Sequence, residues 1–335
     1  MRVAQIPTFG IDSLEFVERA QPQPGAGEVV VNVGAVSFNY RDLMVVKGLY
    51  NPKMALPRIP CSDGAGEVVA VGPWVTAWKT GDRVAGIFMQ NWLDGAPTPA
   101  KVKGALGGDI DGMLSENVLL KESGLVRVPA HMSLEEAATL PCAAVTAWNA
   151  MMAAQLKPGS TVLIQGTGGV SIFALQFAHR MGMRVLGVSS SDEKLARART
   201  LGLAEGLNYR TTPEWDRWVL EQTGGEGADL VVEVGGAGTL SRSLRAVRMG
   251  GMVAQIGVLS GSPDPLPIPQ ILHKQIHLRG IYVGSRQNFE EMNRALTLWR
   301  LKPVYESESW TAVRDVLSRM ESGSHFGKLV VRVGA

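Results

Sequence analysis

Gly166-Thr167-Gly168-Gly169-Val170-Ser171 follows the short apolar run Thr161-Val162-Leu163-Ile164-Gln165 and opens the apolar stretch Val170 to Met181. The first run is too short for a helix and reads as a buried strand, and the second reads as a helix. A strand, a glycine turn and a helix in that order are the context a dinucleotide-binding fingerprint requires. Gly166 permits the tight turn. Gly168 lets a pyrophosphate approach the backbone, where a helix N-terminus offers unpaired N–H groups and the positive end of its dipole. Thr167, Gly169 and Val170 complete the cradle. Ser171 replaces the third glycine with a residue small enough for close helix–strand packing. A purely structural glycine turn is the alternative, and the flanking pattern argues against it.

That pattern is repetition. Arg184-Val185-Leu186-Gly187-Val188, Leu230-Val231-Val232-Glu233-Val234 and Met252-Val253-Ala254-Gln255-Ile256 read as further strands, with helices over Asp192 to Leu201 and Thr239 to Arg248. Near-continuous apolar strands alternating with helices predict an α/β fold, a doubly wound parallel sheet covered on both faces. The first 125 or so residues lack this rhythm. Their β-branched runs at Val29 to Val33, Gly66 to Gly72 and Gly81 to Gly86, bounded by Gly, Pro and Asp, predict a β-rich unit, and residues 94–112 read as a surface loop. Ser133-Leu134-Glu135-Glu136 has capping-box spacing and opens a helix that Pro141 interrupts. After Pro263-Asp264-Pro265-Leu266-Pro267 come a strand over Leu278 to Val283, helices from about Asn288 and Trp310, and a last strand from Lys328 to Val333. The segments are therefore 1–125, 126–267 and 268–335, with head and tail forming one domain and the nucleotide unit inserted.

At 335 residues the chain is long enough for two domains. Its 33 Lys plus Arg against 31 Asp plus Glu leave a formal charge of +2 and no basic run, which excludes an electrostatic nucleic-acid binder. No apolar stretch approaches the ~20 residues that span a bilayer. The start of the chain, Met1-Arg2-Val3-Ala4-Gln5, lacks the basic segment and apolar core of an export signal, and Cys61 and Cys142 cannot build a disulfide framework. A cytoplasmic protein with a small-molecule substrate is expected.

Selection for NAD usually places Asp or Glu about 20 residues beyond the fingerprint, to bind the ribose 2′-hydroxyl. Here Ser189, Ser190 and Ser191 offer hydroxyls to a 2′-phosphate and Lys194 offers charge, so NADP(H) is the expected cofactor. The alternative is that Asp192 or Glu193 reaches the ribose. Gly235, Gly257 and Val258 follow later strands and should line the cofactor, because ligands of open α/β sheets lie beyond the carboxyl ends of the strands.

Together with Gly64 to Gly72, Gly81-Asp82-Arg83-Val84, Asn208-Tyr209-Arg210 and Phe326-Gly327-Lys328-Leu329-Val330, the glycine turn resembles the medium-chain dehydrogenase/reductase superfamily, within it the zinc-independent quinone oxidoreductase-like and NADP-dependent alcohol dehydrogenase-like branch. The resemblance implies a Rossmann domain inserted into a GroES-like catalytic domain, an active site in the cleft between them, and commonly a homodimer. It implies that Lys194 and Tyr209 hold the 2′-phosphate, that Thr146 contacts the nicotinamide, and that Val283 and Ser285 run beside it. Zinc alcohol dehydrogenases of the superfamily carry a Cys in a Cys-x-Thr-Asp-like segment, a His-Glu pair and a later Cys. The matching positions are Asn39-Tyr40-Arg41-Asp42, Ser62-Asp63 and Cys142. Asn39 and Ser62 thus stand where two ligands would be, and a catalytic zinc needs about three. Convergence of Cys61, Asp63 and Cys142 is the remaining route to a metal site. The loop at 94–112 has no cysteine to hold a structural zinc. No metal is expected.

Without a metal to stabilise an alkoxide, the reading is hydride transfer from NADPH to an enone, quinone or reactive carbonyl. Hydrogen-bond donors then carry the developing charge, each worth ~3–4 kcal/mol at a preorganised site. Asn39, Tyr40, Arg41 and Ser62 are the candidate donors, with Tyr40 or water as proton source. Asp42 either faces the cleft or pairs with Arg41. Tyr50, Trp92 and Trp148 shape a substrate pocket or belong to the core. His131, His273 and His277 show no ligand spacing. Two other classes remain open: a zinc-type alcohol dehydrogenase with altered ligands, and a non-enzymatic NADPH-binding protein, since fold does not fix function.

Overall fold

Six parallel strands carry the α/β unit. In the computed structural model, which describes residues 1–259 and 266–334, they lie in the order Glu205–Asn208, Arg184–Ser189, Thr161–Gln165, Ala228–Glu233, Val247–Gln255 and His277–Gly280. Counted along the chain within this unit, that is 3-2-1-4-5-6, the doubly wound order whose direction reverses between the first and fourth strands. Register there sets Val162 beside Leu230 and Ile164 beside Val232. Consecutive residues Val162, Leu163, Ile164 and Leu230, Val231, Val232 are all buried, as a strand covered on both faces demands. The helix Gly169–Arg180 contributes Ile172, Phe173, Leu175 and Phe177 to the unit's buried residues.

The chain divides into Met1–Val145 with Gly284–Ala335, and Thr146–Val283. Both breaks lie later than the expected 125/126 and 267/268. The first lies later because the capped helix Leu134–Ala138 packs on the β-rich unit, where a Cβ on Gly34 would lie 2.5 Å from Leu134 Cδ1. The second lies later because His277–Gly280 pairs in parallel with Val247–Gln255. Of the Pro-rich segment, Pro263, Asp264 and Pro265 fall outside the described residues.

The β-rich unit is built on a seven-stranded sheet in which Tyr305–Ser309, Lys328–Arg332, Glu28–Phe38, Asp63–Val71, Arg83–Gly86 and Leu125–Arg127 are neighbours in that order, and Asn117–Lys121 also pairs with Glu28–Phe38. The terminal strand runs antiparallel to Glu28–Phe38 with Leu329 opposite Phe38. This pairing brings Lys328 beside Asn39. The core beneath joins Val31, Val33, Phe38, Leu43, Val68, Leu114, Leu317 and Leu329.

Several local readings shift. The helix expected over Thr239 to Arg248 is Leu240–Ala246, because Val247 already pairs with Ala228 in the sheet. Pro141 does not end helical structure: a π-turn over Leu140–Ala144 passes into the helix Val145–Ala153. The helix Tyr40–Val46, the strand Glu205–Asn208 and the helix Trp215–Gln222 were not foreseen. The loop at 94–112 carries no helix or strand. Among the described residues no helix is long and apolar enough to cross a membrane.

Candidate functional site

The glycine turn lies at the switch point, at the carboxyl end of Thr161–Gln165. Gly166 has φ +66°, a left-handed conformation that favours glycine, and donates its N–H to Val188 O at 2.7 Å. A Cβ on Gly168 would meet nothing within 4 Å, so the backbone faces open space. Gly168 caps Gly169–Arg180 without a side-chain bond, leaving the first N–H groups of that helix uncapped by a side chain. Ser171 does more than fit. Its hydroxyl donates to Gln165 O at 2.6 Å and ties the helix back to the strand. Thr167 and Thr146 are buried. An open turn, bare N–H groups and a helix dipole suit a dinucleotide pyrophosphate.

The ends of the second and third strands meet through Ser189 and Asn208, which are register partners. Tyr209 donates its N–H to Ser189 O at 3.0 Å and leaves its ring exposed. Ser191 caps the helix Asp192–Arg199, its hydroxyl accepting from Lys194 N at 3.3 Å. Ser189 is buried and its hydroxyl accepts from Ser191 N, while Ser190 is half-buried. Asp192 accepts from Asn208 Nδ2 at 3.0 Å, which engages the carboxylate that could compete for a ribose. The fold thus gathers Ser189, Ser190, Ser191, Lys194 and Tyr209 at one corner of the sheet.

Later candidates have other tasks as well. A Cβ on Gly257 would lie 2.1 Å from Val234 O, so glycine there lets two strand ends approach. At Gly235 a Cβ would lie 2.3 Å from Thr239 Oγ1. Val258 is exposed. Val283 has φ +53°, unusual for a β-branched residue, and its carbonyl accepts from Asn149 Nδ2 at 2.7 Å. Ser285 caps the helix Arg286–Trp299 in a box with Asn288.

In the β-rich unit, the positions matched to metal ligands form a closed polar network. Asn39 caps the helix Tyr40–Val46 and donates its N–H to Asp42 Oδ2 at 2.9 Å. Its Nδ2 lies 3.4 Å from Asp42 Oδ2 and 3.5 Å from Ser62 Oγ, both long. The Ser62 hydroxyl donates to Asp63 Oδ1 at 2.7 Å, and Cys142 N donates to Asp63 Oδ2 at 3.1 Å. Lys328 Nζ donates to Phe38 O at 2.6 Å and to Asn39 Oδ1, and stands 3.8 Å from Asp63 Oδ2. Asp42, Ser62 and Asp63 are fully buried. Burial pushes the Asp63 carboxyl above its ordinary value; Lys328 opposes this and Asp42 adds to it. Burial likewise raises the Cys61 and Cys142 thiols. These residues do not fit a catalytic metal. A lysine ammonium is packed among them, and among the described residues no three of His, Cys, Asp or Glu form a metal-holding group.

The candidate donors therefore differ from expectation. Ser62 donates its hydroxyl hydrogen to Asp63 and is fully buried. Arg41 Nη1 donates to Leu106 O at 2.6 Å and lies 3.4 Å from Asp42 Oδ1, while the guanidinium packs over Tyr50 and Phe88. It clamps the helix to the loop at 94–112 through Leu106. Asn39 keeps only weakly engaged amide hydrogens, and Tyr40 is 39% exposed. Trp92 is core, and Trp148 is buried with its ring edge-on to Phe177, so neither needs a pocket to explain it. Lys328, whose partner is 289 residues away, carries no local signal in the sequence.

A family model described as an alcohol dehydrogenase GroES-like domain matches residues 25–130, and one described as a zinc-binding dehydrogenase matches residues 169–297. A zinc-type alcohol dehydrogenase-like protein of Schizosaccharomyces pombe is 42% identical over 333 residues, 97% of this chain and 96% of that protein. The crystal structure of an NAD-dependent alcohol dehydrogenase superposes with a TM-score of 0.91 at 33% identity, covering 100% of both chains. That of a quinone oxidoreductase from Pseudomonas syringae pv. tomato DC3000 superposes with a TM-score of 0.85 at 28% identity, covering 99% of both. The chain belongs to the medium-chain dehydrogenase/reductase superfamily and is a nicotinamide-dependent oxidoreductase of that family.

Proposed function

We propose that this oxidoreductase uses NADPH to reduce a small molecule bearing a conjugated C=C bond, a quinone or a reactive carbonyl, without a metal. The observation that carries the reading is the closed network of Asn39, Ser62, Asp63 and Lys328 at the positions matched to metal ligands. Reduction of a conjugated acceptor puts negative charge on an oxygen that hydrogen-bond donors can hold, whereas alcohol oxidation needs an alkoxide stabiliser. NADPH supplies the hydride. The turn at Gly166 to Val170 and the N-terminus of its helix hold the pyrophosphate, and Ser189, Ser190, Ser191, Lys194 and Tyr209 hold the 2′-phosphate. Thr146, Gly235, Gly257, Val258, Val283 and Ser285 complete the cofactor-binding set. Asn39 Nδ2, engaged only at 3.4 and 3.5 Å, is the donor for the substrate oxygen. Tyr40 Oη or a water delivers the proton. Lys328 fixes the amide of Asn39 by seating its ammonium on Oδ1, and Arg41 and Asp42 hold the helix that carries both.

Oxidation of NADPH and of NADH over a panel of enones, quinones, aldehydes and alcohols, with and without chelator, tests this. Turnover of enones or quinones with NADPH, unchanged by chelator, is the expected result. The relatives named as alcohol dehydrogenases support a second reading. Alcohol oxidation that a chelator abolishes and zinc restores establishes that reading and rejects the first; dinucleotide binding without turnover points to a non-enzymatic role. A homodimer in the cytoplasm remains the expected assembly and compartment, checked by sedimentation and by fractionation.

A further inference from the structure

Glu233 ends the fourth strand of the parallel sheet and is fully buried, yet among the described residues it enters no ion pair. Five donors converge on it instead. Oε1 accepts from Gly235 N at 2.8 Å, Gly236 N at 2.9 Å and Thr239 Oγ1 at 2.6 Å. Oε2 accepts from Gln165 Nε2 at 2.8 Å and from the Ser243 hydroxyl. Gln165 completes the set: its Nε2 also donates to Ser243 Oγ at 2.7 Å, its Oε1 accepts from Val234 N at 3.4 Å, and its backbone carbonyl accepts from Ser171. Among the described residues every hydrogen bond to Glu233 comes from a donor, which suits an acceptor-only carboxylate.

Glu233 and Gln165 close the two strands between which the sheet reverses direction, and a dinucleotide crosses such a sheet there. We infer that Glu233 is a positioning residue for the dinucleotide: its carboxylate holds the end of the first strand, the loop after the fourth and the helix Leu240–Ala246 in the shape that receives the pyrophosphate. The inference rests on the dinucleotide reading above. Glu233→Gln changes few atoms but puts an amide N–H₂ among donors. Its oxygen must face the two backbone N–H groups, which cannot turn, so its nitrogen confronts Gln165 Nε2. Flipping Gln165 only moves the conflict to Val234 N. Exchanging the two residues, Gln165→Glu with Glu233→Gln, restores one carboxylate and one amide, and Ser243 can reverse its hydroxyl between them.

The test is fluorescence titration of the full chain with NADPH and NADH at 20 °C, with kcat, KM and Tm measured in parallel. E233Q is expected to weaken both dinucleotides at least ~10-fold, the loss typical of a disrupted charged hydrogen-bond set. Their affinity ratio and kcat at saturating NADPH should each stay within about 3-fold. The Q165E/E233Q exchange should recover most of the loss. Unchanged affinity in E233Q, even with a lower Tm, overturns the inference, as does an exchange variant no better than E233Q. If E233Q does not fold, S243A and T239V, which each remove one donor, carry the test; full affinity in both overturns it. A wild-type chain that binds neither dinucleotide sinks the dinucleotide reading and this inference with it. Wild-type binding matched by E233Q sinks this inference alone.

Discussion

Lys194 shows how much one residue type can imply before its setting is known. It lies in the first turn of the helix Asp192–Arg199 that Ser191 caps, and that helix follows the strand carrying Ser189. Lys194→Glu should cut kcat/KM for NADPH by roughly 10- to 100-fold, the worth of a charged hydrogen bond, and leave NADH within about 2-fold. Equal losses for both would remove Lys194 from the 2′-phosphate site. Asp63 gives a pH signature. Its folded carboxyl lies above the ordinary value of 3.8, so the folded state holds the proton more tightly than the unfolded one. That contribution to stability is complete below the unfolded value and is lost as pH rises through the raised folded value. Asp63→Asn should remove this component. Wild-type stability relative to the variant should fall with rising pH across that window in urea titrations, and a flat difference would contradict the assignment. Lys328 was not legible in sequence, because it meets Asn39 only through the pairing of Lys328–Arg332 with Glu28–Phe38.

Among the elements, the glycines divide into two kinds that composition alone cannot separate. Gly168 opens on free space, whereas Gly257 packs against the carbonyl of Val234. Gly168→Ala should change the folding free energy by no more than about 0.5 kcal/mol, yet weaken NADPH by at least ~10-fold, because the added methyl occupies the approach to the backbone. Gly257→Ala should cost more than about 2 kcal/mol by driving two backbones apart. Thermal melts beside NADPH titrations check the pair, and a folding defect in Gly168→Ala would refute the open-turn reading. The fingerprint, the capping box at Ser133 and most strands of the α/β unit were legible, since each declares itself within a few residues. Glu205–Asn208 was not: it is exposed or half-buried along its length and shows no alternation. Tyr40–Val46 was hidden by the surrounding β-rich pattern.

For the molecule as a whole, a ligand bound by the folded chain alone must stabilise it by mass action. NADPH at about 100 times its Kd should add ~2.7 kcal/mol, raising the unfolding midpoint in the wild type and much less in Gly168→Ala. Equal shifts in the two would place binding elsewhere. Residue order alone is enough to specify a β-rich unit interrupted by a parallel α/β unit, and the turn that would take a phosphate. Those properties are written in local periodicity, in glycine spacing and in the order of apolar runs. Folding adds where the units divide, the closing of the ligand-matched positions on a lysine from the last strand, and the carboxylate that gathers five donors under the switch point. Such arrangements are set by contacts between residues tens to hundreds of positions apart, and no local pattern encodes which of them will meet.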